Sequence, residues 1–163
     1  MKYTIAQHNG ALLITVPQAG NNSLRDFCSK HRIACSGYQY ETAISTIDSY
    51  QSLVVILRNP QARYESGMRF LYDGNNVTGP YVEQHTAPYL DHFAHKAVRY
   101  ILFENLYKYF EYEEEESKGE DKWADVYTNG ELEKELETYN YIIDNNDELT
   151  VEEFNQLFNG ESK

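Results

Sequence analysis

Positive charge is in short supply in this chain, with 14 Lys and Arg against 26 Asp and Glu and a formal net charge of -12. Binding to a phosphate backbone draws its free energy from clustered basic side chains that release counterions, so the deficit excludes a generic nucleic-acid binder. Any anion site has to be local. Cysteine is scarce as well: Cys28 and Cys35 are the only two, enough for one conceivable disulfide and no more, and no Cys/His spacing suits zinc. Buried or incidental thiols in a reducing compartment are the expectation. Missing too is any apolar run long enough to span a bilayer, and MKYTIAQHNG lacks the apolar stretch of a secretory signal. These absences predict a cytoplasmic protein with no membrane partner. The triphosphate loop G-x-x-x-x-G-K-[ST] is also absent.

What is present is an ordinary globular balance, 41% hydrophobic and 25% charged over 163 residues, which suits one domain with one sizeable core. Much of the acid sits in EYEEEESKGED, Glu111 to Asp121, and in ELEKELE, Glu131 to Glu137. A solvated helix face or loop explains such runs, with a docking surface for a basic partner as the alternative. Fifteen tyrosines are unusual but by themselves point to no chemistry.

The first clear element is ALLITVP, Ala11 to Pro17, a continuous β-branched apolar run that suits a buried strand. QAGNNS follows, with Ser23 as a helix cap, then SLRDFCSKHRI with Leu24, Phe27, Cys28 and His31 on one helical face. A short strand is expected around Tyr38 to Tyr40 and a short helix from Thr42 to Ile47. SLVVILRNP repeats the grammar of strand and turn, and a helix follows Pro60 up to DGNN, Asp73 to Asn76. Further on we expect a helix over Ala87 to Lys96, a third buried strand ending at Glu104, and a helix opening over LYKYFEYEEEE. Helices over Leu132 to Tyr141 and Thr150 to Phe158 complete the chain, the last with a Thr150/Glu153 capping box. Alternating strands and helices with apolar strands predict an α/β fold, a mostly parallel sheet flanked by helices. In such sheets ligands bind beyond the carboxyl ends of the strands. QAGNNS, the Arg58-Asn59-Pro60 corner and Glu104 should therefore share one edge.

At the first corner, a strand turning through glycine into a helix aims backbone N–H groups and the positive end of the helix dipole at whatever sits there. At the second, Arg58 ends the strand and Ser66 lies eight residues later on the following helix, so the turn can bring both to one point. A guanidinium fork and a hydroxyl donor are the groups a terminal phosphate wants. Arg63 is either a third donor or the partner of an acidic neighbour such as Glu65.

Together, VPQAGNNSLRDF and VVILRNPQARYESG resemble the two nucleotide signatures of sulfotransferases that use 3'-phosphoadenosine 5'-phosphosulfate (PAPS), particularly the carbohydrate-type members. RYILFENL resembles a later strand and corner of that family. The resemblance spans three pieces from about Leu12 to Leu106. It implies a minimal form of the P-loop-NTPase-like sulfotransferase architecture, a single domain over 1–163, with a nucleotide-binding core over about 11–106 and a helical, acidic part over about 107–163. It further implies a loop of Gln18, Ala19, Gly20, Asn21, Asn22, Ser23 and Leu24 around the 5'-phosphosulfate, and Arg58 with Ser66 on the 3'-phosphate. PAPS would be the donor and 3'-phosphoadenosine 5'-phosphate (PAP) the product, with no metal and with a small-molecule or glycan hydroxyl or amine as acceptor. SKGEDKW, Ser117 to Trp123, lies where the family often has a loop closing over the nucleotide.

One position departs from the pattern. Gln18 stands where the family has a lysine that neutralises charge on the leaving phosphate, which raises a catalytically impaired PAPS- or PAP-binding module, or an acidic protein-interaction domain, as alternatives. Glu41 lies at about the offset of the family's base and is the first candidate to deprotonate the acceptor; His85, in a loop and with a near-neutral pKa, is the second. Tyr38, Tyr40, Tyr81 and Tyr89 are left unassigned between packing and stacking on adenine or a sugar. DNNDELTVEEF, aligned on Glu153, puts Ile142 and Asp147 where a calcium loop needs a ligand and a glycine, and is rejected as such.

Overall fold

A computed structural model of the protein describes residues 2–73, 89–111 and 131–158. His85, Tyr81 and the segment Ser117 to Trp123 lie outside them. The strands are β1 (Lys2–His8), β2 (Ala11–Thr15), β3 (Ala34–Gln39), β4 (Ser52–Leu57), β5 (Arg99–Leu102) and β6 (Asp147–Glu148). The helices are α1 (Asn21–His31), α2 (Tyr40–Asp48), α3 (Pro60–Asp73), α4 (Leu106–Phe110), α5 (Glu131–Asn145) and α6 (Val151–Phe158). All six strands form one sheet in the order β3-β1-β2-β4-β5-β6. Only β1 runs against the rest: it pairs antiparallel with β2 and β3, whereas β2–β4, β4–β5 and β5–β6 are parallel. The fold is thus α/β, with a mostly parallel sheet flanked by helices.

Two layers of core follow from the alternation of strand side chains. Tyr3, Ile5, Leu12, Ile14, Val55 and Leu57 pack on one face with Phe93, Tyr139 and Ile142. Ala6, Leu13, Ile56 and Ile101 pack on the other with Leu24, Phe27, Leu106, Phe154 and Phe158. Because both faces are covered, β2 and β4 read as unbroken apolar runs, and β2 is buried at every position.

Several expectations shift. β1 was not anticipated, although it lies inside the sheet, because KYTIAQH alternates weakly in sequence; its Thr4 is nevertheless buried. β3 is Ala34–Gln39, and Tyr40 already opens α2. In ACSGYQ no residue is fully buried, as befits an edge strand. The expected helix over Ala87 to Lys96 is, among the described residues, a single 3-10 turn at Asp91–Phe93. The third strand stops at Leu102, and Phe103–Asn105 turn as 3-10. Ser23 is not the cap of α1: Gly20 is, in the left-handed region at φ 89.

The C-terminal part is built into the sheet rather than appended to it. β6 extends the sheet beside β5, and the Leu149 N–H donates to Tyr100 O at 2.8 Å. The Glu148 carboxylate accepts from Leu102 N–H at 2.9 Å and from Asn105 Nδ2 at 3.2 Å, which fixes the third corner. The capping box forms as expected, with Glu153 N–H donating to Thr150 Oγ1 at 3.0 Å and Thr150 N–H to Glu153 Oε1 at 3.1 Å. Glu153 also takes a two-pronged contact from Arg99, at 2.8 and 2.7 Å. No helix among the described residues is long and apolar enough to cross a membrane.

Candidate functional site

Three parallel strands, β2, β4 and β5, point their carboxyl ends at one edge. The first corner is a tight loop. Ala19 N–H donates to Val16 O at 3.1 Å, closing a turn with Pro17 and Gln18 at its centre. Proline presets the first central position and Gln18 takes the second at φ 66, the pattern of a type II turn that normally asks for glycine. The buried Thr15 hydroxyl donates to Ala19 O and clamps the loop from beneath. Gly20 then enters α1, which no side chain caps, so the helix presents its first-turn N–H groups without a capping oxygen. Ala19 and Leu24 are fully buried. Any contribution they make to an anion site is through the backbone.

Gly20 is required twice over, by its positive φ and by the close approach of α4. A Cβ at this position would lie 2.7 Å from Leu106 Cδ1. Gly20→Val should therefore destabilise the fold by about 2 kcal/mol or more. Urea denaturation measures this, and an unchanged midpoint would disprove the packing argument.

The second corner meets the first at Gln18. Arg58 Nη1 donates to Gln18 O at 2.7 Å, and Ser66 Oγ donates to Gln18 Oε1 at 2.7 Å. The two residues singled out in sequence thus converge on one point, from a strand end and from α3. These contacts over-determine the unusual backbone of Gln18, which by itself would cost about 1 kcal/mol. The Arg58 guanidinium lies over the Phe103 ring, 4.2 Å from its centroid, so the third corner supplies its floor. Its Nε and Nη2 have no protein partner among the described residues, and no carboxylate there forms a salt bridge with it.

Burial first, then the neighbouring Arg69 and Arg63, pulls the Arg58 pKa down to about 10. A cation destabilised by desolvation and by like charges gains most from an arriving anion. Arg58, Arg69 and Arg63 make this corner locally basic in a chain of net charge -12.

Arg63 is not part of that site. It is buried, its Nε donates to Pro17 O at 3.0 Å, and it lies 5.0 Å from the Tyr89 ring centroid. Its role is to hold the first loop from behind. Glu135 is an acid near Arg63 that sequence reasoning missed. It stands within the run read as solvated, yet is only 6% exposed. Its carboxylate accepts the N–H groups of Tyr89 and Leu90 at 3.0 and 3.1 Å. Burial raises its pKa, while those two donors and Arg63 favour the charged form. The spacing of Glu135, Tyr139 and Ile142 places it on the buried stripe of α5, a signal visible in the sequence had the charge not outweighed the period.

Glu41 is exposed in the first turn of α2, directly after β3, whose carboxyl end lies at the same edge. Tyr40 beside it is 52% exposed. Tyr89 is buried with its hydroxyl donating to Ile56 O at 2.9 Å and is a structural residue. Tyr38 is tied into the sheet by Gln7 Nε2 at 3.0 Å. Both cysteines are free. A hydrogen bond between them raises the pKa of the buried Cys28 and lowers that of Cys35, which Arg25 lowers further.

No family model matches the chain, and neither a curated protein nor a solved structure does. The corners offer a cation in no salt bridge among the described residues, an uncapped helix N-terminus and a hydroxyl, around one turn.

Proposed function

We propose that the protein is a PAPS-dependent sulfotransferase of minimal P-loop-like architecture. It binds the donor between the two corners and moves its sulfuryl group to a hydroxyl or amine of a small-molecule or glycan acceptor. The observation that carries this reading is the meeting of Arg58 and Ser66 at Gln18, with two guanidinium nitrogens that make no hydrogen bond among the described residues. Arg58 and Ser66 take the 3'-phosphate. The loop from Gln18 to Ser23, with the uncapped start of α1, takes the 5' end. Ser66 donates to Gln18 Oε1; it donates to a phosphate instead once the Gln18 amide rotates so that its NH2 donates to Ser66 Oγ.

In the transfer the acceptor oxygen or nitrogen attacks sulfur. The bond from sulfur to the bridging oxygen of the 5'-phosphate breaks, PAP departs with that electron pair, and Glu41 takes the acceptor's proton; His85 is the second candidate for that proton. The chemistry rests on positioning and on stabilising the leaving phosphate. Gln18 donates a hydrogen bond to that group but brings no charge. This favours a second reading, a module that binds PAPS or PAP and transfers slowly or not at all.

Calorimetry with PAP against ADP tests the clasp. Preference for PAP is expected, and equal affinity sinks both nucleotide readings. Transfer of labelled sulfate to an acceptor panel then separates enzyme from binder. Gln18→Lys should raise turnover about a hundredfold, the scale of one leaving-group contact. A rise from no measurable turnover in the parent identifies the impaired module, and no turnover in either protein excludes the enzyme.

A further inference from the structure

A second group of cations lies at the same sheet edge, outside the clasp. Lys2 opens β1 and pairs with Gln39 at the carboxyl end of β3. Arg25 reaches it from α1. Lys2 Nζ and Arg25 Nη2 lie 3.2 and 3.3 Å from the point where a side chain at Gly37 would begin. Two full charges are thus drawn over one glycine. A Cβ at Gly37 would collide with Lys2 Cε, so the absence of a side chain is what lets the lysine stem lie across β3.

Neither cation has a salt bridge or a side-chain hydrogen bond among the described residues. The nearest acids in sequence, Asp26 beside Arg25 and Glu41 at the start of α2, are exposed and pair with neither. Arg25 also faces the half-buried Cys35 thiol, whose pKa it lowers, but no carboxylate among the described residues pairs with either exposed cation, so a bound anion relieves the repulsion between them. Thr4 pairs with both Thr15 and Gly37, which puts Gly37 two strand spacings, about 10 Å, from the strand that carries the Gln18 loop.

We propose that Lys2 and Arg25 form a second anion subsite over Gly37, taking an oxyanion of the reactants: a sulfate, a phosphate or a carboxylate. That the anion belongs to a reactant rests on the sulfotransferase reading; the subsite as such does not. Two sources share this chemistry, the 5' end of the donor and an acidic group on the acceptor.

Titration with inorganic sulfate, followed by the amide resonances of Lys2, Arg25 and Gly37, tests the subsite independently of any nucleotide. Saturable shifts are expected, lost in Lys2→Gln/Arg25→Gln and weakened in Gly37→Val, where the lysine is pushed aside. No shift at these amides overturns the subsite. Failure of the parent protein to bind PAP would instead sink the nucleotide reading and leave the sulfate result standing. The double variant then identifies the source. If it binds PAP and adenosine 5'-monophosphate about tenfold more weakly, while adenosine 3'-monophosphate is unaffected, the subsite holds the donor's 5' end. If nucleotides bind unchanged but glucose 6-sulfate loses about tenfold on the PAP-loaded protein, and glucose does not, it holds the acceptor. Unchanged affinity for all of these overturns the assignment to the reactants.

Discussion

Replacing Arg58 by methionine should weaken PAP binding by roughly tenfold to a hundredfold, the worth of a charge-assisted contact of about 1.5 to 3 kcal/mol. Adenosine 5'-monophosphate should lose far less, because it lacks the phosphate that Arg58 takes in the proposed clasp and feels the change only through the Gln18 turn. The variant also loses the contact from Nη1 to Gln18 O, so part of any loss reflects a looser turn. Ser66→Ala separates the two effects. It leaves the Arg58 contact in place and should weaken PAP alone, about fivefold to tenfold. Calorimetry reads all three proteins. An Arg58→Met protein that loses PAP and adenosine 5'-monophosphate equally would place the anion elsewhere. The physical basis is the state of Arg58 in the free protein: half-buried, crowded by Arg69 and Arg63, offset only in part by the more distant Glu104, and in no salt bridge among the described residues.

The second large effect is on stability. Arg63→Met should cost about 3 kcal/mol and lower the melting temperature by about 6 to 12 °C. The methionine fills much of the space, yet Pro17 O loses its donor and Glu135 keeps a buried charge with the nearby cation gone. Pairing the change with Glu135→Gln isolates that electrostatic part. The amide oxygen still accepts from Tyr89 and Leu90, so the double variant should be more stable than the sum of the single effects predicts. Thermal denaturation checks both, and strict additivity would show that Arg63 and Glu135 do not sense one another. Because Arg63 braces the Gln18 loop from behind, the single variant should also bind PAP less well at temperatures where it remains folded.

Legibility in the sequence followed burial. β2 and β4 lie in the middle of the sheet with both faces covered, so their apolar runs announced them, and with them the corners at Gln18 and Arg58. β1 also lies inside the sheet but carries Lys2, Thr4, Gln7 and His8, and its polar atoms hid it. β3 is an edge strand with little side-chain burial, and edges leave weak periodic signals. α6 was legible because a local hydrogen-bonded cap and an aromatic stripe coincide. Glu135 was misplaced because charge normally predicts solvent, and it is buried because it meets donors from a distant part of the chain; Arg63 was left open between phosphate donor and partner of an acid, and it is buried near Glu135 with its Nε on Pro17 O.

By itself the sequence determined the class of fold, the strand-to-helix order of the two corners, and the residue types gathered there, because local propensity and hydrophobic period depend on near neighbours. Only the tertiary structure decided that Arg58 and Ser66 both reach Gln18, that Phe103 lies beneath the guanidinium, and that Arg63 turns inward rather than toward the site. Those outcomes depend on which strands lie side by side, and parallel pairing joins segments some forty residues apart. No local pattern records that distance. The charge at the edge is likewise a property of packing: sequence counts the arginines, but only the fold shows which of them form salt bridges among the described residues.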